Sequence, residues 1–169
     1  HAATTPPDGL AQPELTLPWA TGEMWYYTGG PHGGWVAGSG WAAIDFIPGG
    51  ALLGCQPAEQ WELAVAPGLI VRSENGEVLQ DRDGDGDERT GWVIFYMHVG
   101  SEGRVAVGTK VKTGDQIGHP SCEGGASSAT HLHLARKYNG EWIPAAGPVP
   151  MVLDGWRVTG EATEYDGGF

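Results

Sequence analysis

The chain has 169 residues and a formal charge of −12. That length suits one domain with a full core, and the charge argues against a nucleic-acid partner, since phosphate binding needs a basic face and only nine Lys and Arg are present. Glycine occupies 29 positions, more than twice the usual share of about 7%, without a Gly-X-Y period, so the chain is not collagen-like and its glycines punctuate short apolar runs.

Residues 1–17 read as an arm, punctuated at Pro6-Pro7-Asp8-Gly9 and first anchored at Leu15-Thr16-Leu17-Pro18-Trp19. Residues 18–169 read as a single domain. The first thirteen residues are small, polar and Pro-containing, which is not a signal-peptide pattern. A mature fragment and a cytosolic protein both fit such a start. No apolar run approaches the length of a membrane span.

Residues 20–45 form a long Gly- and Trp-rich segment around His32, Trp35 and Trp41. The two tryptophans suit either the lining of a substrate groove or the packing of a Gly-rich loop. Residues 42–48 read as a short strand with Ile44 and Phe46 on one side and Asp45 on the other. A carboxylate in so apolar a strand is costly unless it is paired or binds a metal. Residues 61–71 are strand-like, broken at Pro67-Gly68. Asn75-Gly76 between two apolar runs predicts a hairpin.

Asp81, Asp83, Asp85 and Asp87 alternate with Arg and Gly. The spacing resembles a calcium loop with oxygen ligands at alternate positions. It also suits a solvated turn. It is not an EF-hand, because the twelfth position is Trp92. Residues 91–99 are the most strand-like run, with His98 near its end, and Val105, Val107, Val111 and Ile117 continue the strand pattern. Residues 119–129 read as a loop. In residues 130–135 alternation puts His131 and His133 on one face and Leu132 and Leu134 on the other. Asn139-Gly140 predicts a second hairpin, leading to a strand around Trp142-Ile143. The tail from Pro144 is mostly loop and carries Tyr165. His1 and His119 have no partners by spacing and read as surface residues. With no long amphipathic helix and no internal repeat, the pattern is all-β and antiparallel.

His32, Asp45, His98, His131 and His133 are the candidate ligands and proton carriers. Three nitrogen or oxygen ligands plus one open position is the layout of a catalytic zinc site. Two neutral imidazoles and one carboxylate leave the ion a net positive charge, which polarises a carbonyl and acidifies bound water. Cys55 and Cys122 lack C-x-x-C spacing. They are either free core thiols or a disulfide closing a loop of more than sixty residues, worth roughly 4 kcal/mol in the chain-entropy model.

Six blocks stand in order across residues 15–165. They are Leu17-Pro18-Trp19, His32 with Asp45 and Phe46, Tyr96-Met97-His98, Ser121-Cys122-Glu123-Gly124-Gly125, His131-Leu132-His133, and Tyr138-Asn139-Gly140. Together they resemble the lysostaphin/LytM-type zinc endopeptidases, most closely the β-lytic and staphylolytic branch. The resemblance implies that His32, Asp45 and His133 bind zinc and that His98 and His131 are catalytic. It implies that Tyr165 stabilises the oxyanion and that Cys122 pairs with Cys55. It further implies an antiparallel sheet with an open groove and zinc at its floor. The expected enzyme is secreted, extracellular or wall-associated, and monomeric. It would hydrolyse peptide bonds in bacterial peptidoglycan, in glycine-containing cross-links. In that scheme His131 takes a proton from the attacking water, and His98 assists it or donates to the oxyanion. The Asp81–Asp87 run departs from the family pattern, and calcium is the cofactor it would add. Three rivals are a non-catalytic wall-binding activator module, a wall-peptide amidase or carboxypeptidase, and a calcium-stabilised carbohydrate-binding sandwich. Occupation of all five site positions argues against the first.

Overall fold

The computed structural model describes residues 5–35, 38–50 and 53–169, and no helix occurs among them. The strands are β1 (Trp25–His32), β2 (Ala43–Pro48), β3 (Glu62–Leu63), β4 (Gly68–Glu74), β5 (Glu77–Asp81), β6 (Trp92–Met97), β7 (Lys110–Val111), β8 (Gln116–Gly118), β9 (Leu132–Tyr138), β10 (Glu141–Trp142), β11 (Val152–Leu153), β12 (Trp156–Arg157), β13 (Thr159–Gly160) and β14 (Gly167–Gly168). One antiparallel sheet runs β1-β2-β9-β6-β5-β4-β7, with β10 added to β9. Both Asn-Gly hairpins are present. Asn75 and Gly76 have φ of 49° and 79°, and so do Asn139 and Gly140, the paired positive values of a two-residue type I′ turn.

Both faces of the sheet are packed. Ile44, Phe46, Ile94, Tyr96, Leu132 and Leu134 bury one face. Ala43, Leu79, Val93, Phe95, Met97 and Ala135 bury part of the other. The residues read as an arm are docked from Gln12 onward. Leu15 belongs to the core, Thr16 N–H donates to Val65 O at 2.9 Å, and Leu17 N–H donates to Asp154 Oδ2 at 2.8 Å. Arg136 follows Leu132 and Leu134 onto that first face and is fully buried. Its guanidinium donates to the carbonyls of Pro144 at 3.0 Å, Val149 at 2.8 Å and Pro150 at 3.2 Å, and to the side chain of Gln12. Burial pushes it down to about 9. Four N–H groups directed at oxygens solvate the buried cation without a carboxylate, so Arg136 ties Gln12 and residues 144–150 to β9.

The Gly- and Trp-rich segment 20–45 carries a strand that its composition did not predict, β1 at 25–32. It is an edge strand, where Pro31 costs no ladder hydrogen bond. The tail is mostly loop, as expected, and its few strand residues form the small hairpins β11–β12 and β13–β14. Val107 lies in a turn and is exposed. Cys55 and Cys122 form a disulfide with Cα atoms 5.6 Å apart.

Glu62 on β3 is fully buried, and neither carboxyl oxygen has a hydrogen-bond partner among the described residues. Burial raises its pKa well above the ordinary 4.5. The folded protein therefore keeps it protonated while the unfolded chain ionises it. Its contribution to stability is fully present below the unfolded value and is lost as pH rises toward the folded one. Glu62→Gln is expected to raise the melting temperature at pH 8 and to leave it unchanged at pH 4, each kcal/mol reading as about 2–4 °C. Equal shifts at both pH values would exclude a neutral Glu62.

Candidate metal centre

Register places the centre. Across four neighbouring strands Gly29 pairs with Asp45, Asp45 with His133, and His133 with Met97. A Cβ at Gly29 would stand 2.7 Å from Asp45 Oδ2, so glycine leaves room for the carboxylate. His32 ends β1, past two register shifts that bring it level with Ala43.

His32 Nδ1–H donates to Gly30 O at 2.8 Å, and His133 Nε2–H donates to Gly34 O at 2.9 Å. A carbonyl only accepts, so each contact fixes the tautomer. The lone pairs are then on His32 Nε2 and His133 Nδ1, which lie 3.0 Å apart. Asp45 Oδ1 is 3.3 Å from the first and 3.2 Å from the second. It is buried, without a hydrogen-bond partner among the described residues. Burial works against the charge on Asp45, but contact with His133 and His32 outweighs it and holds the carboxyl well below the usual carboxylate range. Three acceptor atoms converging without a proton between them call for a cation. Two nitrogens and one oxygen suit zinc, and the fixed far nitrogens are the outer support that zinc-binding imidazoles have.

His98 and His131 lie beside this trio, with ring centroids 4.4 Å apart. His98 Nδ1–H donates to Glu123 O at 3.0 Å, and His131 Nδ1–H donates to Ala129 O at 2.8 Å. Each therefore keeps Nε2 as a free acceptor. His131 Nε2 is 3.7 Å from Asp45 Oδ1. Burial, then the neighbouring His131, pushes His98 down to about 4, so it is neutral at pH 7. Tyr165 stacks on His32 at 4.2 Å, with Gly30 N–H donating to Tyr165 O at 2.8 Å and Tyr165 N–H to Pro31 O at 3.1 Å. Burial and then Asp45 raise the Tyr165 hydroxyl, which stays protonated.

These side chains open onto one cleft of about 670 Å³. Trp35 lines it, packed edge-on against Phe95 at 5.5 Å. Trp41 does not. It lines a separate cavity with Pro144 and Ala146. Glu164, which the sequence reading passed over, lines the cleft and accepts from Gly33 N–H at 2.9 Å. Only its place before Tyr165 could have singled it out.

The four-aspartate calcium reading gains no support. Asp81, Asp83 and Asp85 bring oxygens within 4.8 Å of one another, but Asp87 is outside that group. It pairs with Arg89 at 2.7 Å instead. Asp81, Asp83, Asp85 and Asp87 each accept a backbone N–H two residues on, at 2.7–3.3 Å, which makes the run a ladder of Asx turns. His119 is no bare surface residue, since its ring lies 3.8 Å from that of Trp61 and Nδ1–H donates to Gln60 O at 2.9 Å. His1 lies outside the described residues.

No protein-family model matches the chain. It is 26% identical over 171 residues to Protease LasA of Pseudomonas aeruginosa, covering 98% of this chain and 37% of that one. It is 27% identical over 176 residues to the beta-lytic metalloendopeptidase of Achromobacter lyticus, covering 97% and 42%. The chain thus spans about two fifths of the length of these curated relatives. Among solved structures, the deep-sea M23 metalloprotease pseudoalterin superposes with a TM-score of 0.70 at 25% identity, over 90% of this chain and 85% of that one. A zinc-containing peptidase from Vibrio cholerae, 17% identical with a TM-score of 0.52 over 82% of this chain and 41% of that one, shares the fold. Sequence likeness along nearly the whole chain and likeness of fold point the same way, to the M23 metallopeptidases that these relatives represent.

Proposed function

We propose that the chain is a zinc endopeptidase that hydrolyses peptide bonds in bacterial peptidoglycan, with short glycine-containing cross-links as its substrate. The observation that carries this is the convergence of His32 Nε2, Asp45 Oδ1 and His133 Nδ1, beside two imidazoles that keep free acceptor nitrogens in the same open cleft. Zinc held by that trio supplies a Lewis acid and makes water nucleophilic at neutral pH.

The chain's own residues supply the rest. His131 takes the proton of the attacking water at Nε2 and returns it to the leaving amine. His98 is neutral with Nδ1–H committed to Glu123 O, so its Nε2 is a second acceptor. It donates to an oxyanion only after taking up a proton. The protonated Tyr165 hydroxyl is the donor for the oxyanion. Gly33, Gly38, Gly125, Ala126 and Ala129 line the cleft. A stretch of small residues beside the larger Trp35 and Met97 suits a slim, flexible peptide, which supports the glycine-containing substrate. The disulfide favours an oxidising compartment and supports secretion.

Zinc-loaded protein is expected to cleave pentaglycine-bridged wall peptides. Chelation should abolish cleavage and added zinc restore it, read by product chromatography. His133→Ala is expected to lose zinc by elemental analysis. His131→Ala should retain zinc and lose about 10²–10⁴-fold in kcat. An empty site in the His131 variant would overturn the division between ligand and base.

A further inference from the structure

His98 stands one residue past β6, and its φ of +65° breaks that strand's alternation. Tyr96 faces the first core and Met97 the cleft, so a regular strand would return His98 to the core side. It lines the cleft instead, beside Met97. A non-glycine residue holds such a conformation only where its surroundings over-determine it.

The geometry points to Glu123 as a positioning residue for His98. This rests on the reading of His98 as a proton acceptor. The main-chain carbonyl of Glu123 takes the Nδ1–H of His98 at 3.0 Å. The Glu123 side chain fastens that carbonyl in place. Oε1 accepts from Ser101 N–H at 2.7 Å. Oε2 lies 3.6 Å from Arg104 Nη1, which donates to Val99 O at 3.0 Å. Ser101 and Arg104 belong to the turn that follows His98, so the carboxylate ties the loop to the chain on the far side of the histidine. On the near side Glu123 N–H donates to Ser121 Oγ at 2.9 Å, and that hydroxyl donates to His98 O at 2.7 Å.

The β4–β5 hairpin closes the cradle from behind. A Cβ at Gly76 would stand 2.3 Å from Glu123 O, and one at Gly124 would stand 2.2 Å from Asn75 O. The two backbones are in contact, so the carbonyl cannot retreat from the imidazole. Val99 N–H donates to Gly76 O at 3.0 Å, which ties the same hairpin to the residue after His98. The carboxylate's task here is reach rather than charge: it must span to Ser101 N–H.

Two variants separate reach from charge. Glu123→Gln keeps the oxygen and removes the charge. Glu123→Asp keeps the charge but is one methylene short. Both are measured zinc-loaded on one wall peptide, with the ring tautomer of His98 read by ¹⁵N NMR at fixed pH. Glu123→Asp is expected to lose about 10–100-fold in kcat, with KM and zinc content unchanged, and its His98 ring is expected to lose the pure Nδ1–H tautomer. Glu123→Gln is expected to match the wild type in kcat and in tautomer. An active Asp variant with an inactive Gln variant would make Glu123 an electrostatic group. Two unaltered variants would remove it from the site, and losses that track zinc content or melting temperature would make it scaffold. If the wild type cleaves no wall peptide, the hydrolase reading falls, and the tautomer measurement still decides this inference.

Discussion

Three lone-pair atoms facing one another, with no hydrogen between them, are the constraint on which the rest of the molecule depends. His32 Nε2, His133 Nδ1 and Asp45 Oδ1 stand 3.0–3.3 Å apart. Left alone they repel, so the arrangement persists only because the strands beneath them are fixed. Asp45 sits opposite His133 in the β2–β9 register, with leucines and an isoleucine on the other face. A slip of one residue would turn the carboxylate into the core and Ile44 into the cleft. The apolar face that secures the register is thus also what aims the donors.

The four imidazoles share a device. His32, His133, His131 and His98 each give one N–H to a main-chain carbonyl, those of Gly30, Gly34, Ala129 and Glu123. None of these partners is a side chain. The protonation pattern of the centre is therefore written into loop conformation, and the loops must be held. The Cys55–Cys122 disulfide holds one of them, and Thr130 N–H donating to Gly54 O at 2.9 Å pins its far end. Tyr165, reached through two backbone hydrogen bonds to β1, closes the opposite wall.

This shared device explains what could be read from the chain and what could not. The β2 strand, the outlying Asp45 and both Asn-Gly hairpins were legible, because period-two alternation and type I′ turns leave marks in side-chain identity. β1 was obscured by Gly29, Gly30 and Pro31. These look like turn residues, yet they are tolerated on an edge strand, and Gly29 makes room for Asp45. The hairpins near the end of the chain have strands of two residues, too short to show a period. Arg136 drew no reading from the sequence, yet it is fully buried and solvated by carbonyls that no residue type announces. Trp41, equal to Trp35 by composition, was separated from it only by tertiary placement.

His98 also bears on any library built at that position. Its left-handed backbone sorts substitutes by conformation before ring chemistry is tested. Glycine is at home there, and asparagine and aspartate enter it readily, whereas β-branched residues resist it most. A collection of position-98 variants sorted for folding alone would be enriched in Gly, Asn and Asp and depleted in Val, Ile and Thr. Under the proposed mechanism, sorting the same collection for catalysis would return histidine. The two orders would differ because one position carries both a backbone requirement and a proton.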